Sequence, residues 1–370
     1  MKTLGITPRK IVQHVFLGIV VVIGIRFYQF VCLIESGVAP GFDRPPGVEA
    51  FLPISALVSL KHLLVTGSIN PVHPSGLVLF LIICGTALMA RRGFCSWICP
   101  VGLISEYLGR IRLFRLRSPF VLPRFMDFPL RSLKYMAAGF FVYQIFFKMP
   151  GPAVEAFIYS TYNRFADIQM LKFFTDMSST AWVVLVVLAV LSVLFRHFWC
   201  RYLCPYGALL GVIGFFSPGR VRRDVLRCSG CGKCSRNCPG QIQVASKTRV
   251  DSAECSACLT CVENCPEEKA LKFSFSTASK GLNGATMAVM FILVFGLGIT
   301  CARWSGNWQN DILVREYLRF AGPAVPSPLP QGINPGNMNP ASIDPKKMKR
   351  MIQMMQRLKE QQALTVPPGQ

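Results

Sequence analysis

Charge is what this chain has little of. Only 16% of its 370 residues are Asp, Glu, Lys or Arg, where soluble proteins carry about 25%. Acidic residues are the scarcer kind, 18 against 40 basic ones, and there are only four histidines. No Ser/His/Asp arrangement, phosphate-cradling glycine loop or dinucleotide fingerprint is present. Substrate chemistry is therefore expected to reside in partners. The net charge of +22 would suggest nucleic acid in a soluble protein. Here the arginines flank apolar runs, as the positive-inside rule requires. The aromatic–basic interleaving of a single-strand binder is absent outside those runs, so no nucleic-acid partner is expected. A 52% hydrophobic composition points instead to a polytopic membrane protein in contact with lipid.

The apolar runs cover 11–34, about 72–91, 133–149, 181–198 and 285–302, which reads as about five spans. The first is too long for a signal peptide and reads as an uncleaved anchor. Broken amphipathic stretches at 48–66 and 151–174 read as interfacial or re-entrant helices. Basic residues crowd 103–134 and 220–227, whereas the loops at 35–71 and 149–180 hold few. This places the amino terminus and the cysteine motifs in the cytoplasm. The tail from Arg303 then lies outside, with Trp304 and Trp308 as interface anchors. Residues 321–345 read as linker, and Lys346 to Leu364 as a short helix of poor stand-alone stability.

Fifteen cysteines break the apolar monotony. Cys228, Cys231, Cys234 and Cys238-Pro239 have the same spacing as Cys255, Cys258, Cys261 and Cys265-Pro266. Three thiols spaced by two residues fit one tight loop around an iron face, and the fourth, before proline, serves the other cluster. The expected ligand sets of two 4Fe–4S clusters are therefore Cys228, Cys231, Cys234 and Cys265, and Cys255, Cys258, Cys261 and Cys238. A doubled run ending in Cys-Pro serves no tetrahedral zinc site, and Cys-x2-Cys loops are too short for a disulfide framework. Cys32, Cys84 and Cys301 lie alone in apolar runs, as small buried hydrophobes do.

Four more cysteines lie in two Cys-x3-Cys-Pro-x-Gly motifs, Cys95/Cys99 and Cys200/Cys204. Val48-Glu49-Ala50-Phe51 also recurs at Val154-Glu155-Ala156-Phe157, so two landmarks repeat with offsets of 106 (154 − 48) and 105 (200 − 95). Such a parallel repeat, related by an axis along the membrane normal, would gather the four thiols beneath the bundle. A third metal or redox centre, a reactive dithiol pair and a docking surface are the readings for that site. Glu49 and Glu155 suit first-turn positions of helices, where a carboxylate complements the dipole. Alternatively they, with Arg26, His62 and His73, belong to a quinone and proton site at the outer interface. His14 and His197 lie near the inner surface, but no histidine pair has the spacing of a haem site, so haem is not expected.

The twelve motif cysteines resemble those of the NapH- and NosR-type membrane polyferredoxins, over about residues 10–300. The resemblance implies a bacterial inner-membrane protein that passes electrons between the quinone pool and redox partners, such as a c-type cytochrome or a cytoplasmic donor. It would be the electron-transfer subunit of a quinol dehydrogenase or another oxidoreductase complex. The flavin-bearing domain of NosR-type proteins is missing from the sequence, and the fifth apolar run departs from the four-span NapH pattern. The expected fold is an all-α polytopic membrane protein with an internal parallel repeat and an inserted ferredoxin-like domain. Residues 1–217 form a membrane domain of two repeats, about 10–115 and 133–217. Residues 218–280 carry the clusters, 281–303 the fifth span, and 304–370 an outer tail. An iron–sulfur redox sensor or maturation factor and a purely anchoring subunit are the alternatives.

Overall fold

The computed structural model describes residues 7–111, 122–276 and 281–321. Proline sets many of its helix starts, since a first-turn residue needs no amide hydrogen. In chain order the helices are α1 (Pro8–Glu35), α2 (Pro53–Thr66), α3 (Pro74–Ala90), α4 (Gly93–Trp97), α5 (Pro100–Leu108) and α6 (Arg124–Tyr143). Then come α7 (Gly151–Ile158), α8 (Thr161–Arg164), α9 (Ala166–Thr175), α10 (Ser179–Leu194) and α11 (Pro205–Phe215). The ferredoxin block holds α12 (Lys233–Arg236) and α13 (Thr260–Glu263), and α14 (Gly284–Trp304) and α15 (Val314–Ala321) follow it.

The protein is mostly helical, and α1 and α14 are long and apolar enough to cross a membrane. The pair α9–α10 passes the same test only as one element bent by 79°. Helix α3 has 17 residues, about 26 Å at 1.5 Å per residue, slightly less than a hydrocarbon core. The apolar run at 133–149 is only part of its helix. That helix begins at Arg124, and its last turn, Gln144–Lys148, is a π-turn. Its first half carries Asp127, Arg131 and Lys134; Arg131 pairs with Asp127 one turn away, and Asp127 and Lys134 pair with Arg201 and Glu254 elsewhere in the chain, so the helix outruns its apolar stretch.

The ferredoxin block adds the one element of β structure among the described residues. Strands β1 (Arg220–Arg223) and β2 (Leu271–Ser274) pair antiparallel, with Val221 opposite Phe273. Two apolar cores result. One joins the block to α3, α4 and α14 through Ala87, Trp97, Val221, Phe273 and Phe291. The other gathers Phe30, Val58, Val154, Ile168 and Tyr317 at the opposite end of α1. Trp304 is exposed, but Trp308 is buried with Arg303 over its ring, so it packs inward rather than anchoring at an interface. The expected short helix at 346–364 and Arg112, Arg115 and Arg117 lie outside the described residues.

Candidate metal centres

The two cysteine runs fold into loops of the same kind, each closing on a one-turn helix, α12 or α13. Each helix is preceded by a residue with left-handed backbone, Gly232 at φ 68° and Leu259 at φ 58°. Their surroundings differ. Cys238, Cys255, Cys258 and Cys261 line one pocket walled by Val221, Ile242, Val244, Val250 and Leu259. We call these the proximal set, because the membrane body covers them. Burial pushes the Cys238 thiol up to about 11, and the Cys258 and Cys255 thiols add to the rise. The N–H groups of Gly240 and Ile242 aim at Cys238, and that of Ala257 at Cys255. Four thiols on an apolar wall, with amide donors aimed at sulfur, suit an iron–sulfur cluster.

The distal set is more open. Cys234 is buried, Cys228 and Cys265 are half-buried, and Cys231 is exposed. Arg223 and the Gly230 N–H hold the Cys228 thiol below its usual range. The proximal thiols share one pocket without forming a closed coordination shell. Among the described residues, no three His, Cys, Asp or Glu side chains take up metal-holding geometry.

The proximal half of the block is bolted to the membrane body by residues that sequence reasoning missed. Glu254, adjacent to Cys255, accepts from Arg92 at 2.7 Å, from Lys134 at 2.8 Å and from Tyr135 at 2.9 Å. Burial alone would raise its carboxyl, but Arg92 and Lys134 outweigh that and hold it at about 2. Arg201 donates to the Gly240 carbonyl at 2.7 Å and is braced by Asp127, as is Tyr202. Ser96 and Trp97, inside the first Cys-x3-Cys motif, donate to the carbonyls of Ser256 and Ala257 at 2.6 and 3.1 Å. The only signal in the sequence was the presence of Lys134 and Glu254 in otherwise apolar or cysteine-rich surroundings.

The two Cys-x3-Cys-Pro motifs lie together at this same end. Burial pushes the Cys99 thiol well up, and Cys95, Cys200 and Cys204 are near enough to add to the shift. Burial also raises Cys200, to about 12. Each motif turns back on itself. A Cβ at Gly102 would lie 2.0 Å from the Cys95 carbonyl oxygen, so only glycine fits there. Gly207, its counterpart, donates its N–H to Cys204 Sγ at 3.3 Å. Arg92 touches both regions, with one guanidinium N–H on Glu254 and another on the Cys200 carbonyl.

The residues expected at an outer quinone site do not converge. Glu49 and His73 do meet, Oε1 to Nδ1 at 3.2 Å, within a buried network. Arg44 donates to Glu49 at 2.8 Å and to Asp167 at 2.5 Å, and Ser75 and the Gly76 N–H bind the second Glu49 oxygen. Burial would raise Glu49, but Arg44 and His73 hold it at about 2. His62 instead pairs with the Ser68 carbonyl, Glu155 is exposed on α7, and Arg26 stacks over Phe42 at 5.5 Å.

Residues 72–119 and 179–223 both match the family described as a 4Fe-4S binding domain, and residues 220–266 match a 4Fe-4S dicluster domain. The putative electron transport protein YccM of Escherichia coli K12 is 39% identical over 320 residues, covering 85% of this chain and 89% of YccM. The ferredoxin-type protein NapH of Haemophilus influenzae is 24% identical over 43% of this chain and 51% of its own length. The methylamine utilization ferredoxin-type protein MauN of Methylorubrum extorquens is 28% identical, over 50% of this chain and 61% of MauN. No solved structure matches the chain.

Proposed function

The chain belongs to the NapH-type family of ferredoxin-type electron-transport proteins with 4Fe–4S domains, and from that premise we propose that it relays electrons across a membrane interface. The carriers are two 4Fe–4S clusters, one on Cys238, Cys255, Cys258 and Cys261, the other on Cys228, Cys231, Cys234 and Cys265. They exchange electrons with the quinone pool or a redox partner. The convergence of the four proximal thiols on one apolar pocket carries this reading. The clusters supply the one-electron chemistry, and the protein sets their potential through burial and amide donors. Glu254 and Arg92 hold the proximal loop against the membrane body.

The proposal includes five spans in a bacterial inner membrane, with the block cytoplasmic and the tail from Arg303 outside. Two matches to one family, each containing a Cys-x3-Cys-Pro motif, support the parallel repeat. The gathered Cys95, Cys99, Cys200 and Cys204 support a third redox centre. Iron analysis and low-temperature EPR of anaerobically purified protein test the reading. About eight irons, with signals that appear on adding a quinol, are expected from two clusters. More than eight, falling when Cys95 and Cys200 are changed to Ser, is the outcome for a third centre. Protein that binds no iron would sink the proposal.

A further inference from the structure

A chamber of about 250 Å³ separates the two Cys-x3-Cys-Pro motifs from the proximal thiols. Its walls include Cys95 and Cys200, the first cysteine of each motif. They also include Pro239 and Ser256, the neighbours of Cys238 and Cys255. Gln13, in the second turn of α1, and His197, three residues beyond α10, line it too, so it lies at the ends of two apolar helices. The head of a lipid-soluble molecule can reach such a depth from the bilayer.

Most of the charge in these walls is already matched. Arg9 and Arg110 pair with Glu106, Arg92 with Glu254, and Arg201 with Asp127. Arg196 has no carboxylate partner among the described residues, and the buried side-chain atoms left here without a partner are one donor and one acceptor. Arg92 Nε and Gln13 Oε1 are both buried without a hydrogen-bond partner. An unsatisfied buried polar group is destabilising, so each one calls for an explanation. The His197 ring makes no hydrogen bond among the described residues, and its backbone is held at φ 56°, a strained region that recurs at functional sites. An anion would answer Arg92 and Arg196 but not the buried acceptor Gln13 Oε1. A six-membered ring with oxygens at opposite ends, one accepting and one donating, answers both.

We propose that this chamber binds a quinol headgroup beside the proximal thiols and is where it is oxidised. The inference rests on the quinone-linked function above and places its site on the cluster side of the membrane, away from Glu49 and His73. Arg92 Nε–H donates to one ring oxygen, and the opposite hydroxyl donates to Gln13 Oε1. Oxidation breaks the two O–H bonds. A ring nitrogen of His197 accepts a hydrogen bond from the hydroxyl whose oxygen Arg92 holds, and both protons leave to water. The two electrons would leave singly to the 4Fe–4S clusters that the proximal and distal thiols would hold, which supply the one-electron acceptors.

The test uses cluster-loaded protein, reduced with dithionite under anaerobic conditions, in detergent with short-chain ubiquinol and menaquinol analogues, whose binding is followed by equilibrium dialysis. Gln13→Leu and His197→Asn, the latter keeping a residue that tolerates positive φ, are each expected to weaken analogue binding about tenfold, the loss of one hydrogen bond. The EPR signals of dithionite-reduced clusters should be unchanged, and Glu155→Gln should bind like the wild type. Wild-type protein that binds no analogue overturns the quinone reading itself. Binding that survives both chamber substitutions, or that inorganic phosphate displaces, overturns only the location. A photoreactive azidoquinone needs no variant. Labelling within 92–110 or 196–204 is expected, and labelling confined to 44–76 would place the site at the outer network.

Discussion

The proximal and distal thiol sets carry the same cysteine spacing in opposite surroundings. Cys255, Cys258 and Cys261 are buried beneath α4 and α6, and their loop hangs on Glu254, Ser256, Ala257 and Gly240. Cys231 is exposed, and beside it Leu226 is 98% exposed. Equal spacing therefore gives both sets the same ligand pattern, and the partners of the intervening residues decide what each set meets. The proximal set faces the membrane body and the chamber. The distal set faces solvent, where a soluble redox partner can approach.

Removing the bolt should have the largest effect. Glu254→Leu leaves Arg92 and Lys134 buried without their carboxylate, a loss of about 3–5 kcal/mol. Thermal unfolding in detergent should show it, with the proximal cluster signal lost first. Equal loss of both signals would mean that the two halves are held alike. Next comes a contrast of cysteine variants. Cys231→Ser should lower iron content with little change in unfolding temperature, whereas Cys255→Ser should lower both, since its side chain also fills the core.

The Glu49 network separates bolting from redox tuning, because it contains a buried carboxylate and no motif cysteine. Glu49 is held at about 2, below its ordinary value of 4.5. Its contribution to stability is thus fully present above pH 4.5 and is lost as pH falls towards 2. Unfolding followed across that window should flatten in Glu49→Gln, with the cluster potentials at neutral pH unmoved. The smallest effect on stability is expected at Leu226. Leu226→Lys should stay within about 0.5 kcal/mol of the wild type, while slowing electron exchange between the distal cluster and a soluble acceptor. Unchanged exchange would place the partner elsewhere.

These contrasts also mark how far the sequence could be read. Cluster ligation is local chemistry, so the two cysteine runs and both Cys-x3-Cys-Pro motifs stood out from spacing. Helix α1 was legible from one long apolar run, and α14 likewise. The bolt was not, because Glu254 meets Lys134 and Arg92 across 120 and 162 residues. No local pattern announces such a pairing. Helix α6 was misjudged for the same reason. Its charged first half looks like a loop until Asp127 and Lys134 find partners. Glu49 and Glu155 occupy matching places in the repeat, yet one is locked by Arg44 and the other is exposed. Repeat symmetry in sequence did not carry over to side-chain environment.

The cover that Ser96 and Trp97 place over Ser256 and Ala257 has a consequence for biogenesis. Filling the proximal thiols is therefore coupled to the seating of α4, whose Ser96 and Trp97 hold the loop that carries them. Cys231, facing water, can be filled last in the finished protein.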